Sequence, residues 1–164
     1  MLVGVLILSV VLGFWWTLMV GKVRAFEVES GSMESTLDIG DRVLAKAFPK
    51  GIPQRGDIVV IESPDDNGPE LVKRVVAGAG DTVAFKGGYF FVNGSASPPP
   101  GQTASFHPGA PDSELTLKPG QFFVLGDNRS KSHDSEEFGP IDRSSIHGLV
   151  FYRYWPSARM GEVR

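Results

Sequence analysis

The chain contains no cysteine, which excludes disulfide bonds, thiolate metal sites and cysteine nucleophiles. It also lacks a run of basic residues, and its formal net charge at pH 7 is -3. Proteins that bind nucleic acid normally carry a basic patch, so no nucleic-acid partner is expected. The sequence has no metal-ligand motif and no nucleotide-binding motif. It therefore predicts a protein without a cofactor or a metal.

Charged side chains are absent from residues 1–21, which are mainly Leu, Val and other apolar residues. A helix of that length spans about 30 Å, the thickness of the hydrocarbon core of a bilayer. Trp15 and Trp16 would lie at the level of the lipid headgroups, with Lys22 just outside. The alternative is a cleaved signal peptide, but neither a basic n-region nor a small-residue cleavage site is visible. Residues 1–21 are therefore predicted to be a retained transmembrane anchor, with the lipid bilayer as a partner.

Glycine and proline are abundant, at 20 and 12 of 164 residues, which favours short strands and turns over long helices. Lys86-Gly87-Gly88 has the composition of a tight hairpin turn between two such strands. Runs with β-like patterns cover residues 25–30, 41–48, 57–63, 70–77, 81–85, 89–92, 114–117, 121–125 and 147–155. The sequence predicts one mostly β domain with antiparallel sheets over residues 22–164. Residues 93–113, rich in Gly, Pro and Ser, are predicted to form a flexible surface loop within it.

Three polar segments are candidates for a functional site. They are VESGSMESTLDIGDRV at 28–43, ELVKRVVAGAGD at 70–81 and GDNRSKSHDSEEFGPID at 126–142. Each has an ordinary structural explanation when taken alone, because Ser, Gly and Asp are favoured in turns and most strand lysines are exposed. The composition of any single segment does not decide between a site and a solvated loop.

Lys73 is the residue in these segments whose chemistry depends most on its surroundings. It lies in an apolar strand-like run, and alternation would place Lys73 and Arg74 on opposite faces of the sheet. If Lys73 faces the interior, the loss of hydration lowers its pKa, and a neutral amine can then accept a proton from a serine hydroxyl. A buried Lys73 would therefore be a candidate general base.

Taken together, the segments resemble the type I signal peptidases, membrane-anchored proteases with a Ser/Lys dyad. The resemblance runs from the leader to about Trp155, through SGSM, RGDIVV at 55–60, KRVVAGAGD and GDNRSKSHDS in the same order. It implies a mostly β, antiparallel-sheet catalytic domain preceded by one transmembrane helix. It also implies a serine endopeptidase that cleaves signal peptides from exported pre-proteins after small residues, at sites of the Ala-X-Ala type.

The same resemblance assigns roles to individual residues. Ser32 is the nucleophile and Lys73 the general base, while the Ser30 hydroxyl and the Ser32 backbone N–H form the oxyanion hole. Ser132 orients the lysine amine. The supporting polar residues are Arg74, Asp127, Arg129 and Asp134. The residues that line the shallow substrate pockets are Phe26, Val28, Met33, Leu37, Val43 and Val72.

The implied location is the plasma membrane, with a single span and the catalytic domain on the extracytoplasmic face. The two flanking basic residues, Lys22 and Arg24, favour the opposite orientation by the positive-inside rule. Two charges carry less weight than the match of four segments, so the extracytoplasmic placement is the expectation.

Two positions depart from the family pattern. The family often has proline where this chain has Ser35, and often a basic residue where it has Glu136. The first departure changes the stiffness of the turn behind Ser32. The second removes an ion-pair partner for Asp134, which Arg129 or Arg143 could replace.

Two other functions compete with the Ser/Lys protease. A Ser/His/Asp hydrolase could use His107, His133 or His147, although no G-x-S-x-G motif surrounds Ser32. Outside the enzymes, the alternative is a catalytically inactive membrane-tethered β-domain that only binds partners. The joint presence of Ser32 and Lys73 favours the protease, because a binding module does not require both.

Overall fold

The computed structural model describes residues 9, 10, 12, 13, 16, 23–47, 51–65, 68–96 and 112–163. The predicted anchor at 1–21 falls mostly outside these residues; the five positions described within it are helical. Across the described residues, no helix is long and apolar enough to cross a membrane. Residues 97–111, the centre of the predicted loop at 93–113, also lie outside the described residues.

The main body of the described chain is one antiparallel sheet of eight strands. The strands are β1 (Val23–Glu27), β2 (Arg42–Lys46), β3 (Ile58–Ile61), β4 (Leu71–Ala77), β8 (Gln121–Leu125), β9 (Ile141–Asp142), β10 (Ile146–Trp155) and β11 (Gly161–Glu162). Their order is β1-β2-β10-β3-β4-β8-β9, and β11 pairs with β10. The predicted mostly β fold with antiparallel pairing is therefore confirmed.

A second sheet of three strands has the order β6-β5-β7. It consists of β5 (Thr82–Lys86), β6 (Tyr89–Val92) and β7 (Ser113–Thr116). Lys86 pairs with Tyr89, and the two residues that connect them, Gly87 and Gly88, have φ angles of 58° and 81°. The predicted hairpin is therefore confirmed. Glycine suits its turn because it adopts these positive φ angles without the steric cost that a side chain adds.

The helices within the described part of residues 23–163 are short. The α-helix α1 (Ser135–Phe138) is capped at its N-terminus by Asp134, whose side chain accepts a hydrogen bond from the Glu136 backbone N–H at 3.2 Å. The 3-10 helices are Gly31–Met33, Arg129–Lys131, Arg143–Ser145 and Ser157–Arg159. Two of these 3-10 helices, with α1, carry two of the three polar segments that the sequence singles out, and the third segment, at 70–81, includes β4.

The strand bounds differ from the predicted ones where turns begin early. The run predicted at 25–30 forms β1 only as far as Glu27, because the regular pairing with β2 ends there: the Val28 N–H donates to Asp41 O at 2.9 Å, whereas Val28 O accepts from Gly40 N at 2.8 Å. The sequence also gave no signal for β9 and β11, each of two residues. Strands this short contain too few residues to show a period-two pattern.

The apolar core follows the large sheet. Val28, Met33, Leu37 and Val43 pack with other buried residues, and Phe26 and Val72 lie against them. β4 is buried from Lys73 to Ala77, including both of its charged side chains. This strand carries its charges into the interior, where only partnered groups are stable.

Candidate active site

The Gly31–Met33 turn places Ser32 inside the protein. Ser32 is 4% exposed, and its hydroxyl lies 3.2 Å from the Ser30 hydroxyl, within hydrogen-bonding distance. The Ser32 carbonyl accepts a hydrogen bond from the Asn128 backbone N–H at 2.9 Å. The turn is thus fixed to the segment that follows β8.

Lys73 approaches from β4 and is 2% exposed. Its Nζ donates a hydrogen bond to Ser132 Oγ at 3.0 Å. Burial lowers the pKa of Lys73 to about 8; Asp134 and Glu137 oppose this shift, whereas Arg129 adds to it. Burial acts in this direction because an ammonium loses more hydration energy than a neutral amine does.

Gly126 brings the two halves of the site together. A Cβ at this position would lie 2.3 Å from Ser132 Oγ and 2.5 Å from the Ser32 carbonyl oxygen. Any side chain would therefore separate the turn that holds Ser32 from the serine that holds Lys73. Among the described contacts, no hydrogen bond joins Ser32 Oγ directly to Lys73 Nζ; Ser30 Oγ is the partner of Ser32 Oγ.

Arg74 and Asp127 form a buried ion pair next to Lys73. Arg74 Nε and Nη2 donate to the two oxygens of Asp127 at 2.8 and 2.7 Å, and neither side chain is more than 1% exposed. Thr36 Oγ1 donates to Asp127 at 2.6 Å. The paired geometry connects β4 to the loop after β8 and to the turn behind Ser32.

Arg129 and Asp134 form a second buried pair. Arg129 Nη1 donates to Asp134 Oδ2 at 2.6 Å, and the Gly126 backbone N–H donates to the same oxygen at 3.0 Å. Arg129 also forms an ion pair with Glu136. Of the two candidates to replace the missing basic residue at 136, Arg129 thus pairs with Asp134, whereas Arg143 Nη1 donates to Ile146 O.

Ser35 shows how the turn accommodates the absence of proline. Its φ angle is 88°, which is uncommon for a residue other than glycine. A proline ring fixes φ near −65°, so proline could not adopt this backbone conformation. The departure at position 35 therefore changes the conformation of the turn and not only its stiffness.

A groove of about 310 Å³ runs from the Ser32 turn along β1. One wall is formed by residues 25–30 and the other by residues 69–72, with Ser32 and Met33 at one end. Of the six residues predicted to line substrate pockets, Phe26, Val28, Met33 and Val72 line this groove. Leu37 and Val43 do not; both are 0% exposed and lie in the core beneath it.

Two polar clusters near the groove were not predicted. Glu34 accepts hydrogen bonds from Asn128 Nδ2 at 2.7 Å and Lys131 Nζ at 3.0 Å, and the Lys131 contact lowers the pKa of Glu34. Glu70 accepts from Arg24 and contacts His147. Both clusters join residues far apart in sequence, so no local motif indicates them.

The histidines lie away from the Ser32 hydroxyl. His133 Nδ1 is 2.8 Å from Glu137 Oε2, and His147 Nδ1 is 2.5 Å from Glu70 Oε1. Neither hydrogen bonds to Ser32 in the described part of the chain, and His107 lies outside it. The geometry gives no support to a Ser/His pair at His133 or His147.

Comparison with known families matches residues 2–155 to the model described as signal peptidase, peptidase S26. The chain belongs to this family. The resemblance drawn from the sequence is thereby confirmed.

Several signal peptidases are similar to the chain over most of its length. Signal peptidase IB of Staphylococcus aureus is 32% identical over 170 residues, which cover 92% of this chain and 88% of the relative. Thylakoidal processing peptidase 1 of Arabidopsis thaliana is 35% identical over 151 residues, which cover 83% of this chain. The match spans only 43% of that plant protein. The chain thus corresponds to less than half of the plant relative.

A solved structure is also similar. The crystal structure of a signal peptidase I from Enterococcus faecalis V583 is 30% identical, with a TM-score of 0.49. The similarity covers 60% of this chain and 97% of that one.

Proposed function

We propose that the chain is a serine endopeptidase that cleaves signal peptides from exported pre-proteins, with Ser32 as nucleophile and Lys73 as general base. The observation that carries the proposal is the position of a buried lysine with a lowered pKa, hydrogen-bonded to Ser132 and joined through Gly126 to the Ser32 turn. Membership of the signal peptidase family supports it.

The proposed reaction begins with rearrangement of the Ser32 hydroxyl. Ser32 Oγ leaves Ser30 Oγ, turns towards Lys73 Nζ and attacks the scissile carbonyl carbon as its proton passes to the neutral amine. Catalytic hydrogen bonds often form only when the substrate is bound, which accounts for the contact missing here. With a pKa of about 8, about a tenth of Lys73 is neutral at pH 7.

The oxyanion is held by two donors of the same turn. When Ser32 turns away, the Ser30 hydroxyl is free to donate to the oxyanion beside the Ser32 backbone N–H. Lys73 then protonates the amine as it leaves, and an acyl-enzyme ester forms on Ser32. Lys73 next removes a proton from water, which hydrolyses the ester and regenerates the hydroxyl.

Ser132 and the buried ion pairs position this base. The hydrogen bond to Ser132 restricts the Lys73 amine to one direction. Arg74 with Asp127, and Arg129 with Asp134, fix the loop that carries Ser132 to β4 and to α1. A site of this kind depends on such support, because small displacements of reacting groups greatly reduce the rate.

The groove suits an extended substrate. β1 is an edge strand, and β4 pairs with β8 only from Arg74 onwards, so Leu71–Lys73 lack a described partner on that edge. A peptide lying between β1 and residues 69–72 could hydrogen bond to both walls by β-augmentation. Phe26, Val28, Met33 and Val72 leave shallow space that suits small side chains, as in Ala-X-Ala sites.

The proposed location is the outer face of a bacterial-type plasma membrane, with residues 1–21 as a single-pass anchor. The apolar composition of those residues supports the anchor. Protease added to intact spheroplasts should digest the domain. Protection until the cells are lysed would contradict this orientation.

The activity is tested by incubating the purified protein with an exported precursor and following the shortened product on a gel. Wild type should cleave, whereas Ser32→Ala and Lys73→Ala should not. Precursors with Phe or Leu immediately before the cut should be cleaved more slowly than those with Ala. A wild type that binds the precursor but leaves it intact would instead indicate the inactive binding domain.

A further inference from the structure

A salt bridge connects the two walls of the groove. Arg24, on β1, donates through Nη1 and Nη2 to the two carboxylate oxygens of Glu70 at 3.1 and 2.9 Å. Glu70 belongs to the opposite wall, at residues 69–72. β1 and β4 are separated by three strands in the sheet order, so this contact forms only because the sheet curls until its edge strand faces the start of β4.

The bridge lies at the end of the groove distant from Ser32. Arg24 precedes the groove-lining residues of β1, and its guanidinium lies 4.8 Å from the centre of the Phe26 ring, which lines the groove. On the other side, His147 Nδ1 contacts Glu70 Oε1 at 2.5 Å. Both members of the bridge are therefore oriented by a second contact.

We propose that Arg24 and Glu70 form a charged clamp that bridges the two walls at this end of the groove and selects an uncharged residue at the substrate position beneath it. The inference rests on the proposed function and adds a specificity determinant to it. Five residues, 25–29, separate Arg24 from Ser30. An extended substrate alongside them advances by the same rise of about 3.3 Å per residue, so a similar number of its residues spans this distance. The clamp therefore meets the substrate about five or six residues before the cut.

A substrate side chain of either charge is disfavoured at this position, because it would have to break the bridge between Arg24 and Glu70 to find a partner. A substrate carboxylate can pair with Arg24 only by displacing Glu70, and a substrate ammonium can pair with Glu70 only by displacing Arg24. Either displacement leaves one member of the clamp beside the substrate without its partner. An uncharged side chain passes beneath the clamp and keeps the bridge intact. The side chain of Arg24 is 61% exposed and that of Glu70 27% exposed, so the penalty is modest.

The test is a charge scan of one cleavable peptide, with Ala, Asp or Lys placed in turn at each position from the fourth to the seventh before the cut. For wild type, Asp and Lys at one position should each lower kcat/KM about threefold to fivefold, mainly through KM. Arg24→Gln should remove the penalty for Lys and keep or increase that for Asp, because the Glu70 carboxylate, no longer balanced by Arg24, repels it. Glu70→Gln should remove the penalty for Asp.

Lys86→Gln is the matched control, because Lys86 forms an exposed ion pair with Glu114 on the small sheet, away from the groove. Its charge profile should equal that of wild type. A purely structural role for the bridge would lower activity equally for all peptides, without this reciprocal pattern. Identical charge profiles in wild type, Arg24→Gln and Glu70→Gln would overturn the inference.

Failure of the proposed function can be told apart from failure of the clamp. If wild type cleaves none of the peptides, the proposed activity fails. The same peptides, fluorescently labelled, are then titrated against Ser32→Ala, with and without Arg24→Gln or Glu70→Gln. A reciprocal charge pattern in Kd supports the clamp, whereas a flat pattern or no binding overturns it.

Discussion

The two sheets of this protein treat charge in opposite ways. The large sheet buries Lys73 and Arg74 on β4, at 2% and 0% exposure. The described residues of the small sheet bury no charged side chain; its core is Val83 and Val92 with Phe85 and Phe90 against Phe123. Its charges remain outside, as in the exposed Lys86–Glu114 pair.

This difference separates stability from chemistry. Burying apolar and aromatic side chains stabilises a fold without further requirements, whereas a buried charge is tolerated only with partners. The burial of Lys73 in the large sheet therefore lowers the stability of the fold, whereas the apolar core of the small sheet raises it. Equivalent substitutions of charged residues in the two sheets should consequently change activity and the free energy of unfolding by unequal amounts.

The largest expected effect is on activity at the buried lysine. Lys73→Arg keeps the positive charge but has no accessible neutral form, so cleavage should fall at least about a thousandfold, as for Lys73→Ala. Wild-type kcat/KM should rise with pH along a limb near the Lys73 pKa of about 8. His133→Ala should retain most of the rate. Substantial cleavage by Lys73→Arg, with loss in His133→Ala, would instead favour a histidine base.

The next effect is on stability at the buried ion pair. Asp127→Ala leaves Arg74 buried without its carboxylate partner and should lower the free energy of unfolding by about 3–5 kcal/mol. Glu114→Ala breaks the exposed pair on the small sheet and should change it by less than about 1 kcal/mol. Urea denaturation of both variants checks the contrast, which would disappear if the two losses were equal.

A smaller effect should appear in the pH dependence of stability. The pKa of Lys73 is about 8 in the folded protein, whereas that of an unperturbed lysine, as in the unfolded chain, is 10.5. Between these pH values the unfolded chain therefore binds more protons than the folded protein does. Wild-type stability should consequently gain a contribution that rises with pH across that interval. Lys73→Met should lack this contribution and be more stable than wild type at pH 7. Thermal melts from pH 7 to 10 measure the difference, and parallel curves would show that Lys73 is not desolvated.

The smallest effect is expected at the turn behind Ser32. Ser35→Gly removes a side chain from a position with φ of 88° and should raise the free energy of unfolding by up to about 1 kcal/mol. Ser35→Pro should lower it, because the ring cannot adopt this φ. A stabilising Ser35→Pro would mean that the turn has a different conformation in solution.

Much of the local structure could be predicted from the sequence. The Lys86-Gly87-Gly88 hairpin and most of the strands follow from turn residues and short apolar runs. The pairing of β10 with β2, β3 and β11 could not, because local patterns do not say which distant strand supplies the partner. For the same reason, the salt bridge between Arg24 and Glu70 could not be predicted from the sequence.

For the candidate site, the sequence indicated which residue types to expect and the structure shows how they meet. Burial of Lys73 was a condition of the sequence argument, and the structure meets it. The role of Gly126 had no sequence signal, since a Gly-Asp pair reads equally well as an ordinary turn. The assignment of Leu37 and Val43 to the substrate surface was drawn from resemblance, and the structure places both beneath the groove.

The hydrogen bond between Ser30 and Ser32 also bears on inhibitor design. The two hydroxyls share one hydrogen bond of 3.2 Å, in which either oxygen can be the donor. A ligand that engages only one of them leaves the other without its partner in a partly buried site, so part of its binding energy is lost. A ligand that offers an electrophilic carbon to Ser32 and an acceptor oxygen to Ser30 replaces both halves of the broken bond at once. Compounds with both groups on adjacent atoms should therefore bind with an advantage that neither group provides alone.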